Sequence, residues 1–315
     1  MADHGPTDRR RRRLLCAAAA LPASAFAARA APARSPSTER RRMNTRPIPS
    51  TGEALPVVGC GTYIGFDQAP GSAGYAALPG VVEALLDAGG TVFDSSPMYG
   101  RAEATAGELL AANGRRGDAF LATKVWTTGR AEGIRQMETS MRLLRTDRID
   151  LMQVHNLVDW RTQLATLRRW KDERRIRYLG ITHYSASAYG EVEAVLRSEK
   201  LDFLQINYAL DDRQAERRLL PLAAERGVAV IVNMPFGGGG LLRRVLDKPL
   251  PGWAAEIGCA SWPQVLLKFV LSQPAVTCVI PGTRRREHML DNAAAGTGSV
   301  PDAAFWPGRI DAVLD

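Results

Sequence analysis

Four ionisable residues, Asp94, Tyr99, Lys124 and His155, each stand at or just after the end of a short apolar run. The runs are TVFDSS (91–96), with Tyr99 just beyond Pro97 and Met98, FLATK (120–124) and IDLMQVH (149–155). A tyrosine hydroxyl has an unperturbed pKa of about 10, so it donates a proton at neutral pH only when its surroundings help. A cation beside it favours the phenolate. Lys124, brought from the next run, is placed to supply that cation, and Asp94 to hold the lysine through a partly buried ion pair. A shift of about two or three units, at about 1.4 kcal/mol each, lies within the range of a desolvated cation. His155 would orient a substrate oxygen or relay the proton. Such a set protonates a developing alkoxide. No nucleophile or metal cluster accompanies it: past the first 42 residues the histidines are His155, His183 and His288, with no His-x-His pair and no CxxC. The chemistry that best matches is hydride delivery to a carbonyl carbon from a nicotinamide, where the cofactor carries the difficult step.

A polar residue at the point where a buried strand emerges is characteristic of a barrel enzyme, because the strand fixes the group while the following loop shapes the pocket. The rest of the chain predicts such a barrel. Apolar runs at 55–62, 91–96, 119–125, 149–155, 178–183, 203–208, 228–234 and 276–282 alternate with helical patterns near 75–88, 101–113, 130–146, 160–175, 186–199, 212–226, 262–273 and 284–295. Continuously apolar strands separated by helices imply a parallel sheet covered on its outer side. Eight such units fit a closed α/β fold, a (β/α)8 TIM barrel, better than an open doubly wound sheet. The latter would follow its first strand with a Gly-rich turn and a prompt helix, and GCGTYIGF (59–66) has no helix behind it. An extended loop after the seventh strand (236–262) and a C-terminal tail (301–315) with an apolar pattern at Phe305, Ile310 and Val313 exceed the eight-unit plan. Long loops at strand ends are where barrels place ligand contacts.

These residues carry a resemblance: the segment from about 46 to 300 is similar to the aldo-keto reductases. The matching words are DSS (94–96) with the adjoining PMYG (97–100), ATK (122–124), RIDLMQVHN (148–156), LGITHYS (179–185), QINY (205–208) and IPGTRRREHMLDN (280–292). The resemblance implies reduction of aldehydes or ketones with NADPH, NADH being possible. It implies Tyr99 as general acid, Lys124 and Asp94 tuning it, and His155 positioning the carbonyl. Gln205, with Thr182 and His183 where relatives usually have Ser-Asn, would bind the nicotinamide carboxamide. Gly61, Thr62, Pro235, Phe236, Gly237 and Gly239 would complete the cofactor cleft, with Thr283, Arg284, His288, Asp291 and Asn292 in the adenosine-phosphate segment. Tyr63, Trp126 and Asn156 are the candidate substrate-pocket residues. Asn233 stands where many relatives have a tyrosine that stacks on the nicotinamide, and Phe236 is its candidate substitute. Gly282 and His288 replace Lys and Arg of several subfamilies. A 2′-phosphate is recognised through charge-assisted bonds, a role left to Arg284, Arg285 and Arg286.

Blander readings compete at several positions. Tyr99 could be an ordinary loop tyrosine, His183 a structural histidine, Trp126 a loop aromatic on a neighbour, and the glycines at 237–240 a flexible loop; the joint placement of the four ionisable residues favours the chemical reading for those four. A different class of function is a nicotinamide-binding redox sensor or partner-binding module with little turnover.

The net charge of +8 sits almost wholly in the first 42 residues, where ten Arg oppose Asp3, Asp8 and Glu39. The remaining 31 basic and 30 acidic residues nearly cancel, which argues against a nucleic-acid track. Arg9 to Arg13, then LLCAAAALPASAFA, then small residues at AFA (25–27) or ARA (28–30) resemble a twin-arginine (Tat) export signal. Its apolar stretch is too short for a permanent membrane anchor. The expected organisation is therefore a targeting segment over 1–42 and a barrel over 43–315, with the Tat translocon as partner and a periplasmic location. A true start at Met43 would instead imply the cytoplasm. Of the four cysteines only Cys16 lies in this leader; Cys60 and Cys278 read as small core residues on strands.

Overall fold

A computed structural model describes residues 42–314. The leader expected before Met43, apart from Arg42, lies outside the described residues. Two short strands come first, β1 (Thr45–Pro47) and β2 (Ala54–Pro56), paired antiparallel as a hairpin. Eight parallel strands follow: β3 (Cys60–Gly61), β4 (Val92–Asp94), β5 (Phe120–Val125), β6 (Ile149–His155), β7 (Ile176–Thr182), β8 (Phe203–Asn207), β9 (Ala229–Asn233) and β10 (Val276–Val279). Each pairs with the next in sequence order. Bridges Val58↔Val279 and Gly61↔Gly282 join the two edges, so the sheet closes into a (β/α)8 barrel. Gly61 permits that closure: a Cβ there would lie 2.9 Å from the Ile280 carbonyl oxygen.

The helices between strands are α1 (Ala73–Asp87), α2 (Ala102–Ala112), α3 (Arg130–Leu143), α4 (Trp160–Asp172), α5 (Tyr189–Ser198) and α6 (Leu219–Glu225). The long segment after β9 contains the short α7 (Gly240–Val245) before α8 (Trp262–Leu271), and α9 (Arg286–Ala295) follows β10. The tail ends in α10 (Asp311–Leu314).

Two separate cores follow from the alternation of side chains along each strand. Outward residues such as Leu121, Met152, Val154, Ile181, Leu204 and Val232 join the helices in the larger core. Inward residues Val92, Phe120, Ala122, Leu151, Tyr178, Phe203, Ala229, Ile231 and Cys278 fill the lower barrel. Ile48 and Leu55 of the hairpin region belong to this inner core and close its floor. Burying that apolar surface is worth about 25 cal/mol per Å² removed from water, and it anchors the strands rigidly beneath the mouth.

The single strand expected over 55–62 is divided. Its first part, β2, pairs with β1 in the floor hairpin, and the barrel is joined by the Val58 bridge and by Cys60–Gly61. A continuous apolar run does not reveal that its two halves serve different sheets. Cys60, Cys259 and Cys278 are buried and unpaired, and burial pushes the Cys60 thiol up to about 12.

Candidate active site

The inward face of each strand changes from apolar to polar toward its carboxyl end. Asp94 follows Val92, Lys124 follows Ala122, Gln153 and His155 follow Leu151, Thr182 follows Gly180, Gln205 follows Phe203, and Asn233 follows Ile231, each at steps of two. The period of the strand thus gathers these groups into one ring above the inner core.

At its centre Lys124, fully buried, donates from Nζ to Asp94 Oδ1 at 2.7 Å and to the Ser95 carbonyl at 2.5 Å. The other carboxylate oxygen, Oδ2, accepts from Gln205 Nε2 at 2.8 Å and from Gln153 Nε2 at 3.4 Å. Burial works to neutralise Lys124, but Asp94 and Tyr99 outweigh it and hold the ammonium above its ordinary value. The same Nζ lies 5.3 Å from the centroid of the Tyr99 ring.

Tyr99 is half-buried, and its phenol is pushed above its ordinary pKa. Burial is the main cause; Lys124 pulls the value down, while Asp94 and Tyr63 add to the rise. The expectation from sequence that Lys124 lowers the phenol is therefore right in the sign of that one interaction and wrong in the net. Burial disfavours a phenolate in this apolar mouth more than one cation, shared with Asp94, favours it.

The His155 ring stands edge-on to Tyr99 with centroids 6.2 Å apart, and its Nδ1 hydrogen-bonds the Ser96 hydroxyl at 3.2 Å. That leaves Nε2 for a ligand. Burial, then Lys124 and His183, lower its pKa to about 3, so the imidazole is neutral at physiological pH. Tyr63 packs on Tyr99 with centroids 4.9 Å apart, and Trp126 flanks His155 at 6.5 Å. Gln136 of α3 fixes Trp126 by accepting from its backbone N–H at 2.6 Å and donating to its carbonyl at 3.2 Å. Asn156 has φ 52° and a buried Oδ1 with no partner. The structure thus brings Asp94, Tyr99, Lys124, His155, Tyr63 and Trp126 together, with Asn156 directly following His155.

The residues expected to hold a dinucleotide are placed less uniformly. Thr182 donates from its hydroxyl to Gln205 Oε1 at 3.0 Å, which orients the glutamine amide. His183 Nδ1 accepts the backbone N–H groups of Tyr184 and Ser185, both at 3.1 Å, so its ring proton belongs on Nε2 as an outward donor. Asn233 has a buried Oδ1 without a partner beside this group. Gly237, Gly238 and Gly239 have φ of 58°, 62° and 86°, three consecutive left-handed residues; the N–H groups of Gly237 and Gly239 donate to the Met234 and Phe236 carbonyls at 3.0 and 2.9 Å. Asp211, next to this row, is neutralised by Arg244 at 2.6 Å. Thr283 is half-buried, and Arg284, Arg285, Arg286 and His288 are exposed. An unpaired amide oxygen, an imidazole N–H and an exposed arginine cluster together fit a phosphorylated nicotinamide nucleotide.

Four of the residues expected at the cofactor make contacts within the scaffold. Thr62 is wholly buried, its hydroxyl donating to the Asp94 carbonyl at 3.0 Å and to Ser95 Oγ at 2.9 Å. Gly61 closes the barrel. Asp291 accepts from Ser261 and Gln264 at the start of α8, at 2.6–2.9 Å. Phe236 is half-buried and packs against the outer core.

Three residues of the site escape a reading of the sequence. Gln153 is fully buried, touches Asp94, and leaves its Oε1 unpaired. Its position two residues before His155, on the same strand face, is the one signal that points to it. Ser96 lies inside the first apolar run but carries no charge to mark it. Glu103, on α2, is buried and accepts from Thr123 at 2.6 Å and Ser140 at 3.1 Å. Burial raises its pKa, and nothing in the sequence distinguishes it from a surface glutamate.

Comparison with known proteins agrees with this geometry. The family model described as "Aldo/keto reductase family" matches residues 59–306. The chain is 30% identical over 261 residues to the methylglyoxal reductase YeaE of Escherichia coli, covering 80% of this chain and 89% of that protein. It is 30% identical over 260 residues to the aldo-keto reductase str7 of Strobilurus tenacellus, covering 69% and 75% respectively. Among solved structures, an aldo-keto reductase from Klebsiella pneumoniae in complex with NADPH superposes with a TM-score of 0.72 at 26% identity, over 86% of this chain and 95% of that one. The chain belongs to the aldo/keto reductase family.

Proposed function

We propose that this protein reduces an aldehyde or ketone by hydride transfer from NADPH, with Tyr99 as the proton donor. The observation that carries the reading is the buried Lys124, which touches Asp94 on one side and approaches the Tyr99 ring on the other. The nicotinamide, when bound, supplies the hydride to the carbonyl carbon. The chain supplies the rest. The substrate oxygen lies between the Tyr99 hydroxyl and His155 Nε2, and charge developing on it is met by a proton from Tyr99. The resulting phenolate is stabilised by the Lys124 ammonium, which Asp94 keeps in place. His155, neutral because its pKa is about 3, acts as a hydrogen-bond donor from Nε2 and cannot be the acid near pH 7. This supports Tyr99 as the proton donor in the proposed reaction.

Gln205, Thr182 and His183 would hold the carboxamide, the Gly237–Gly239 row the diphosphate, and Thr283 with Arg284, Arg285 and Arg286 the 2′-phosphate. His288 and Asn292 lie on the same helix for the adenosine. The complete acid–base set weighs against a binding-only module. The similarity to a methylglyoxal reductase makes small ketoaldehydes reasonable first substrates beside reactive aromatic aldehydes. The test is the purified full chain with NADPH and either methylglyoxal or 4-nitrobenzaldehyde: aldehyde-dependent loss of NADPH supports the reading, and tight NADPH binding with no turnover on both contradicts it.

The export reading rests on Arg9 to Arg13 and the Ala-rich stretch behind them. It makes the mature enzyme periplasmic, exported through the twin-arginine translocon already folded and loaded. Intact mass of protein from its native source tests it: a mass beginning at Met1 contradicts processing, and one beginning at Met43 points to a cytoplasmic enzyme.

A further inference from the structure

At the end of the barrel opposite the mouth, the loops leading into β5, β6 and β7 surround an open cavity of about 840 Å³. Four arginines line it, Arg116, Arg145, Arg148 and Arg174, against two acids, Asp147 and Asp150. One of those acids is already engaged. Asp150 pairs with Arg177 at 2.9 Å and accepts the Leu121 N–H at 2.8 Å.

The lining arginines are conspicuously short of partners. Arg116 has a buried Nε with no hydrogen-bond partner, a desolvation left uncompensated that weighs more for a charged group than for a neutral one. Arg145 has one ion pair, a long 3.9 Å contact to Glu108. For Arg148 and Arg174 there is no side-chain hydrogen bond or ion pair among the described residues. Adjacent arginines differ. Arg115 pairs with Asp87 and Asp118 at 2.9 Å, Arg175 with Glu138 at 3.1 Å, and Arg177 with Asp150. Carboxylates thus pair the arginines around this basin, while inside it four arginines face only Asp147 and Asp150, both of which act on Arg116.

The backbone supplies an independent observation. The second residue past the end of α1, α2 and α6 is a glycine in the left-handed region, Gly89, Gly114 and Gly227. Past α3 and α4 the same position is Arg145 (φ 53°) and Arg174 (φ 61°). A residue with a Cβ is strained there. At the two helix ends that face the basin, the chain carries that strain and places a guanidinium.

We propose that this basin binds a small phosphate-bearing polyanion, held by the planar forks of Arg116, Arg145, Arg148 and Arg174. Guanidinium groups match phosphate oxygens in bidentate pairs. The cavity falls in the range of small-molecule sites, about 300–1,000 Å³, and exceeds what a single orthophosphate fills, so a di- or triphosphate or an organic phosphate ester is the better match. The near-neutral body beyond residue 42 offers no continuous basic track that would extend the site to nucleic acid. It shares no residue with the nicotinamide nucleotide cleft.

The test is calorimetric titration of the full chain with tripolyphosphate and, separately, with orthophosphate, at constant ionic strength and with excess NADP present to fill the nucleotide cleft. Tripolyphosphate is expected to bind one site per chain, more tightly than orthophosphate. The double variant Arg116→Ala/Arg148→Ala is expected to weaken it at least about tenfold, since two sets of charge-assisted bonds are lost. Arg116→Lys/Arg148→Lys, which keeps the charge and guards against misfolding, should lose part of the affinity because the bidentate fork is gone. Absence of binding heat in the wild type, or affinity unchanged in both double variants, overturns the proposal.

Discussion

Lys124 is buried with its charge intact, and everything around it follows from keeping it so. Asp94 answers the charge directly, Gln205 and Gln153 answer Asp94 in turn, and Thr182 orients Gln205. Removing one member of a buried pair leaves the other uncompensated, so Lys124→Met should cost about 3–5 kcal/mol in urea unfolding as well as abolish turnover. His155 makes a separate prediction. Its folded pKa, about 3, lies below its ordinary 6.5, so the unfolded chain binds the proton more readily. The stability this contributes is complete above pH 6.5 and is lost as pH falls toward 3, at up to about 1.4 kcal/mol per unit. His155→Gln should flatten that part of the stability–pH profile, whereas turnover of the wild type should show no His155 transition between about pH 5 and 8. Arg284→Ala should weaken NADPH about tenfold or more, the worth of a charge-assisted contact, and leave NADH nearly unchanged in fluorescence titrations. The charged members of the site are legible in the sequence because each ends an apolar run. Gln153 and Ser96 are not, since neutral amides and hydroxyls acquire meaning only when the strand's period of two places them beside a charge. The net pKa of Tyr99 is also out of reach, because burial is a property of the assembled mouth.

At the scale of elements, eight strands and their order can be read from alternating apolar runs, and the barrel follows. The division of 55–62 cannot, because residues of the same apolar type serve a floor hairpin and a barrel strand in succession. The role of the C-terminal tail is partly visible in its apolar spacing. In the structure Trp306 is buried against Phe269 and Trp253, with ring centroids 5.3 and 5.9 Å apart, and Lys248 reaches the Val313 carbonyl at 3.3 Å. Trp253 and Lys248 belong to the long segment after β9 whose first residues are the Gly237–Gly239 row. The tail therefore holds the far end of a loop proposed to cradle the cofactor. Trp306→Ala should cost about 3–5 kcal/mol of stability, read as a lowered urea midpoint, and should weaken NADPH binding although residue 306 lies far along the chain from the four acid–base residues.

The whole molecule separates its tasks along the barrel axis: a floor closed by Ile48 and Leu55, an inner apolar core, a polar ring, and aromatic walls at the mouth. The arginine basin at the opposite end is invisible in the sequence because its four members are scattered from 116 to 174 within a body whose charges nearly cancel. The proposed activity turns on one proton, the one Tyr99 gives to the developing alkoxide. It is tested most directly by single-turnover reduction of 4-nitrobenzaldehyde by NADPH-loaded protein, comparing the wild type with Tyr99→Phe after confirming equal NADPH affinity. Loss of the general acid predicts a rate lower by about 10²–10⁴-fold with binding unchanged. Equal rates in the two proteins would contradict the account.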